Sequence, residues 1–147
     1  MSLPHTYTSI LIHGVFSTKL RKSMISKEVQ PRLWSFIGGI ARKKKMKALA
    51  IGGINNHVHV LISIPPTIAV AKAMQLLKGG SSKWMNDQIR GRTFAWQENY
   101  SAFSIGVSQI DDTVRYINNQ EKHHAKFSVD EELKMFLARH GIKPVDE

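Results

Sequence analysis

The chain has 147 residues, a net charge of +10 and no cysteine. That length suits one domain with a real core, residues 1–147 as a single unit, and the missing thiols exclude disulfides and thiolate zinc sites and fit a cytoplasmic protein. No apolar run approaches the ~18 residues of a membrane span, and the N-terminus lacks a charged segment leading into an apolar one, so no signal peptide is expected.

The predicted elements follow in chain order. Tyr7 to Phe16, YTSILIHGVF, alternates and is rich in β-formers, which predicts a strand. Ser17 to Ser26 reads as a polar, basic loop. Ser26 is placed to cap a helix whose apolar positions Val29, Leu33, Phe36, Ile37 and Ile40 recur at helical spacing; it ends in the run Arg42, Lys43, Lys44, Lys45. Ala48 to Ile54 and His57 to Ile64 read as two strands joined at Asn55-Asn56, a hairpin stopped by Pro65-Pro66. Thr67 is placed to cap a second helix reaching about Arg90, with Gly79-Gly80 marking a kink or a close backbone approach. A fourth strand is expected in AFSIG with part of FAWQE, then a helix from Ser108 to about His124. Ser128 and Glu131 form a capping box for a last helix ending near Gly141. The order β-α-β-β-α-β predicts an α+β, ferredoxin-like fold: an antiparallel sheet with two helices on one face, followed by extra helices.

Charge is unevenly spread along this plan. Lys19 to Lys47 holds ten Lys/Arg against one acid, whereas Ser104 onward holds six bases against eight acids. A polyanion, most commonly a nucleic acid, is the partner this implies; a plain solvated basic face is the competing reading.

The stretch INNHVHVLISIPP carries the first chemistry. Side chains alternate along a strand, so His57, His59, Leu61 and Ser63 share one face, while Val58, Val60, Ile62 and Ile64 face the helices. Two imidazoles at i and i+2 can converge on one ion; two polar residues on an open sheet face are the alternative. Without cysteine, further ligands must be oxygens or nitrogens, a mixed set suited to a six-coordinate ion such as Mg²⁺ or Mn²⁺. In the helix after the fourth strand, Ile110, Val114 and Ile117 form the apolar stripe, and Tyr116 and Gln120 lie together off it.

These pieces resemble a known family. HVH on a strand is an HUH motif, U being apolar, and RYINNQ, Arg115 to Gln120, is similar to the Tyr-x-x-x-Gln helix of the single-tyrosine HUH transposases of bacterial and archaeal insertion sequences. VFSTK, NNHVHVL, LKGGSS and WQENYSAFSI also resemble that family's blocks, in order and over nearly the whole chain. The resemblance implies a metal-dependent enzyme that cuts and rejoins single-stranded DNA at hairpin-marked element ends. It implies His57, His59 and Gln120 as ligands of a divalent ion, Tyr116 as the nucleophile forming a 5′-phosphotyrosine, and a homodimer. Lys19, Arg21, Lys22, Arg42, Lys43, Lys44, Lys45 and Lys78 are then expected on DNA. Trp84 and Trp96 suit base stacking or core packing. Among the other histidines, His13 is expected buried or near the site and His123 near phosphate; His5, His124 and His140 are expected to be exposed. A non-catalytic nucleic-acid-binding module on a similar sheet, or a domesticated repeat-associated nuclease, is the alternative.

Overall fold

The computed structural model describes residues 6–88 and 93–143. Its elements are β1 (Leu11–Ser17), α1 (Gln30–Lys43), β2 (Lys47–Ile54), β3 (His57–Ser63), α2 (Val70–Gln88), β4 (Ser101–Ile105), α3 (Ile110–Asn118), α4 (Gln120–His124) and α5 (Val129–Arg139). The strands form one antiparallel sheet in the order β2-β3-β1-β4, the ferredoxin-like α+β arrangement that the element order predicts. Asn55 and Asn56 make the tight turn of the β2–β3 hairpin, with Ile54 opposite His57.

The two sheet faces have different chemistry because β3 alternates strictly. Val58, Val60, Ile62 and Ile64 join Ile12 and Phe16 of β1, Leu33 and Ile37 of α1, and Met74 and Leu77 of α2 in the apolar core. Each fully buried Leu, Ile or Val there contributes roughly 1.5–3 kcal/mol. α2 continues through Gly79-Gly80, and a Cβ on Gly80 would lie 2.7 Å from Ile40 Cδ1 of α1. Gly80 therefore marks a close helix approach, whereas a Cβ on Gly79 would meet nothing within 4 Å.

The opposite face is covered too, by the C-terminal helices, so the histidines do not sit on an open sheet. α3 crosses β2 at Gly52, where a Cβ would lie 2.5 Å from the Ile117 carbonyl oxygen. α5 brings Phe136 against His13 and Phe103, with ring centroids 5.0 and 5.3 Å apart.

Several boundaries differ from the sequence expectation. β1 begins at Leu11, not Tyr7. α1 begins at Gln30 after a turn in which the Ser26 carbonyl, not its hydroxyl, accepts from Val29 and Gln30. α2 begins at Val70, so Thr67 lies in the preceding turn and does not cap it; its described part ends at Gln88, and Arg90 lies outside the described residues. FAWQE does not extend β4: only Trp96 pairs, as an isolated bridge with Thr18. Ser108 lies in a short 3-10 turn, and the helix expected through His124 is broken at Asn119 into α3 and α4. The Ser128–Glu131 capping box forms as predicted, at 3.2 and 3.3 Å.

Candidate active site

His57 and His59 are fully buried, each with its ring under the C-terminal helices. Gln120 is 1 % exposed and Glu132 2 % exposed. Register explains the convergence. His59 stands between Val15 of β1 and Gly52 of β2, and the missing side chain at Gly52 lets the end of α3 lie on the sheet beside it. Tyr116 at the end of α3 then lies over His59, ring centroids 5.6 Å apart. After the break at Asn119, α4 turns Gln120 inward, with its Oε1 3.0 Å from His57 Nε2. The structure thus brings together His57, His59, Tyr116 and Gln120 from one chain.

Four further residues complete the cluster. Glu132 of α5 places Oε1 2.7 Å from His59 Nε2 and 3.5 Å from His57 Nε2, and its Oε2 accepts from the Tyr116 hydroxyl. His124 Nε2 lies 3.2 Å from Glu132 Oε2 and 3.0 Å from Gln120 Oε1. The His124 side chain is therefore only 5 % exposed and lies in the site, contrary to the exposed position expected for it: the break at Asn119 turns α4 so that residues 120 and 124 face inward together. His13 is buried behind the site, its Nε2 2.8 Å from His59 Nδ1. His123 Nε2 lies 3.3 Å from the Tyr116 hydroxyl. His140 is exposed and stacks on Phe103, and His5 lies outside the described residues.

Glu132 and His124 were legible only faintly. Glu132 sits where α5 should be apolar, between Val129 and Phe136 at helical spacing. His124 follows Gln120 by four residues, the spacing of one helix face.

The proton inventory favours a cation here. His57 Nδ1–H donates to Asn56 Oδ1 at 2.9 Å, and His124 Nδ1–H donates to the Phe127 carbonyl at 2.7 Å. A neutral ring held this way turns the Nε2 lone pair inward. Both Nε2 atoms then face the carbonyl oxygen of Gln120 and the carboxylate of Glu132. Acceptors facing acceptors at about 3 Å are satisfied by a cation between them. The nitrogens of His57, His59 and His124 and a Glu132 oxygen all lie within 4.8 Å of one another.

Ionisation follows burial and partners. Burial, together with neighbouring His59, lowers the pKa of His13 to about 3. Burial lowers His59 to about 4 against the opposing pull of Glu132. Burial alone would raise Glu132, but contacts with His124, His57 and His59 outweigh it and hold the carboxylate well below its ordinary range. Burial, then the Glu132 carboxylate beside it, pushes the Tyr116 hydroxyl well above its ordinary value. At neutral pH the rings of His13 and His59 are neutral, the acid is charged and the phenol keeps its proton.

The basic residues divide by position. Lys19, Arg21 and Lys22 follow the end of β1 that pairs with His57, so they border the site. Leu20 and Arg21 both have left-handed backbone, φ 56° and 55°, and Arg21 pairs with Asp130 at the start of α5. Non-glycine residues in this region carry strain that surrounding contacts must hold; here Leu20 N donates to Gln97 Oε1 at 2.9 Å. Arg42, Lys43, Lys44 and Lys45 are exposed at the other end of the hairpin, near Lys47 and Ser63. Lys78 is occupied: its amine donates to the carbonyls of Gln97, Glu98 and Asn99 at 2.5, 2.9 and 3.3 Å. Those bonds use all three of its protons. Trp96 packs in the core against Phe16 and Phe94, its indole N–H on Ser81. Trp84 is half-buried against Phe36.

Comparison with known proteins agrees with this architecture. A sequence model of the family described as "Transposase IS200 like" matches residues 6–120. The transposase of insertion sequence IS200 from Salmonella typhimurium is 27% identical, over 87% of this chain and 90% of that one. The ISDra2 transposase TnpA of Deinococcus radiodurans is 23% identical, over 74% and 81%. Among solved structures, one described as a Deinococcus radiodurans transposase superposes with a TM-score of 0.65 at 20% identity, covering 82% of this chain and 97% of that one. A REP-associated tyrosine transposase bound to a REP hairpin gives 0.61 at 16% identity, covering 84% and 74%. The fold is that of the tyrosine transposases. The chain belongs to the IS200-like transposase family. Among the described residues, no helix is long and apolar enough to cross a membrane.

Proposed function

We propose that the chain cleaves and rejoins single-stranded DNA at hairpin-marked ends, with Tyr116 as nucleophile and a divalent ion, Mg²⁺ or Mn²⁺, held by His57, His59 and Gln120. The observation that carries this reading is the meeting of the Tyr116 ring with the His59 ring, 5.6 Å apart, inside one chain. The sheet face that a base-stacking module would use is covered by α3, α4 and α5, which disfavours the purely binding alternative.

The residues divide the work. The ion, when bound, supplies Lewis acidity to a non-bridging phosphate oxygen. His57 and His59 are fixed from behind by Asn56 and His13, which orients the nitrogens that would hold it. Tyr116 attacks phosphorus: the Oη–P bond forms, the P–O3′ bond breaks, and the 3′ oxygen leaves with a proton as a hydroxyl. The phenol's own proton has two acceptors at hand, the Glu132 carboxylate and His123 Nε2. Rejoining is the reverse attack by a 3′-hydroxyl on the phosphotyrosine, so the broken bond's energy is retained and no nucleotide is needed.

DNA binding is assigned to two places. Lys19, Arg21 and Lys22 suit phosphates of the single strand at the site. The run Arg42 to Lys45 lies beyond the far end of β3, about 20 Å from His57 at ~3.3 Å per residue. Six base pairs of duplex have about that length, so the run suits a hairpin stem. The hairpin in the neighbouring REP-associated structure supports this substrate class. Action on genomic DNA in the cytoplasm, and a homodimer, belong to the same reading, although the tyrosine and histidines of one chain already meet.

The experiment uses Mn²⁺ and labelled single-stranded DNA carrying a hairpin and flanks taken from beside the gene. Wild type is expected to form a covalent adduct that survives denaturing electrophoresis, and Tyr116→Phe to form none. An undiminished adduct in Tyr116→Phe removes Tyr116 as nucleophile. Paired hairpins bounding the gene indicate a mobile element; matching repeats scattered through the genome indicate a domesticated enzyme.

A further inference from the structure

Glu132 lies beyond the stretch matched by the family sequence model, residues 6–120, and belongs to neither motif that first marked the site. We propose that Glu132, delivered by α5, is a direct ligand of the divalent cation alongside His57 and His59. The inference rests on the metal-assisted reading of the site given above.

Burial makes the first argument. A carboxylate 2 % exposed is expensive unless a cation shares its charge. Its nearest basic groups are imidazoles, and two of them, His57 and His124, are turned the wrong way to supply protons. His57 and His124 spend Nδ1–H on Asn56 Oδ1 and the Phe127 carbonyl. Each leaves a lone pair directed at the space beside Glu132 and Gln120. His59 has a comparable arrangement available through His13, whose Nε2 lies 2.8 Å from His59 Nδ1. With no cation, His59 Nε2–H donates to Glu132 Oε1 and His13 Nε2–H donates to His59 Nδ1; with a cation in place both rings change tautomer, each keeping one proton, so that His59 Nδ1–H donates to His13 Nε2 and His13 carries its own proton at Nδ1. Neither arrangement needs a charged ring.

Spacing makes the second argument. Neighbouring ligands of a six-coordinate ion with bonds of ~2.1 Å stand about 3 Å apart. Glu132 Oε1 is 2.7 Å from His59 Nε2 and 3.5 Å from His57 Nε2, and Gln120 Oε1 is 3.0 Å from His57 Nε2. These three separations bracket that value.

Anchoring makes the third. α5 is held at its start by the Ser128–Glu131 box and the Arg21–Asp130 pair, and one turn past Glu132 by Phe136 packed on His13, Tyr116 and Phe103. The carboxylate is therefore placed from both sides rather than reaching in from a loop. Its second oxygen accepts from Tyr116, so the same residue links the ion's position to the nucleophile.

The test is a Mn²⁺ titration of the DNA-free protein, with free ion followed by electron paramagnetic resonance. Wild type is compared with Glu132→Gln, Glu132→Asp and His57→Asn, with circular dichroism and thermal unfolding to check folding. Glu132→Gln is expected to bind Mn²⁺ at least tenfold more weakly, with Glu132→Asp between the two, and His57→Asn also to lose affinity. The Gln and Asp variants change charge and reach separately, so if one misfolds the other decides. If Glu132 variants bind within twofold of wild type while His57→Asn does not, Glu132 is no ligand and the active-site reading stands. If all three variants bind as wild type does, both readings fall.

Discussion

His13 hydrogen-bonds the site through the His59 ring, which makes it a positioning residue. Its Nε2 lies 2.8 Å from His59 Nδ1, and burial with a pKa of about 3 keeps it neutral, able to accept or donate one proton at that atom. A histidine whose Nδ1–H is held by a fixed acceptor presents Nε2 in one orientation, and loss of such a partner typically costs 10–100-fold in metal affinity. His13→Leu should therefore weaken Mn²⁺ binding about tenfold or more. It should also destabilise the metal-free protein by roughly 1–3 kcal/mol, because a buried His59 nitrogen loses its partner. His13→Gln offers an amide oxygen at the same place and should restore much of the affinity. Equal Mn²⁺ affinity in wild type and His13→Leu would show that His59 needs no such support.

Gly52 decides whether α3 can lie on the sheet at all. A Cβ there would sit 2.5 Å from the Ile117 carbonyl oxygen, a backbone atom that moves only if α3 moves, and Tyr116 with it. Gly80 meets a side chain instead, Ile40 Cδ1 at 2.7 Å, which can rotate away. Overpacking of this kind costs ~1–3 kcal/mol. Misplacing a reacting group by about 1 Å costs on the order of a hundredfold in rate. Both Gly52→Ala and Gly80→Ala should unfold at lower temperature, but only Gly52→Ala should slow adduct formation, by at least tenfold. Equal slowing in both would locate the defect in stability rather than in the seat of α3. The same contrast marks what sequence could convey. The period-2 histidines and the four-residue spacing of Tyr116 and Gln120 are local patterns, and the strand order followed from the order of elements. The Asn119 break, the inward turn of His124 and the docking of Glu132 depend on where α4 and α5 land. No local period encodes that landing; its traces are an acid on the apolar side of α5 and the four-residue spacing of Gln120 and His124. Starts of β1, α1 and α2 missed by three or four residues because Tyr7, Ser26 and Thr67 have suitable propensities but lie outside the ladder or helix that forms.

At the scale of the whole molecule, one sheet face is an apolar core and the other an ionisable one, so stability must depend on protons. His59 has a pKa of about 4 and His13 of about 3 in the folded chain, against 6.5 for an ordinary histidine. A lowered histidine pKa means that the unfolded chain binds the proton first. Stability from these rings is therefore full above about pH 6.5 and falls as pH drops toward 4, at a limit of ~1.4 kcal/mol per pH unit for each ring. Glu132 acts lower down: its folded pKa is depressed, so its contribution is present above the ordinary carboxylate range and is lost as pH falls through and below it. The two effects have the same sign and adjoin one another, so acid should unfold the protein progressively rather than in one late step. With chelator present, the melting temperature should stay level from pH 8 to 7 and then decline steadily below about 6.5. The fall should be several degrees per pH unit, taking ~2–4 °C per kcal/mol for a chain of this size. A melting temperature that stays flat from pH 7 to 5 would mean that His13 and His59 are not held neutral in the folded state.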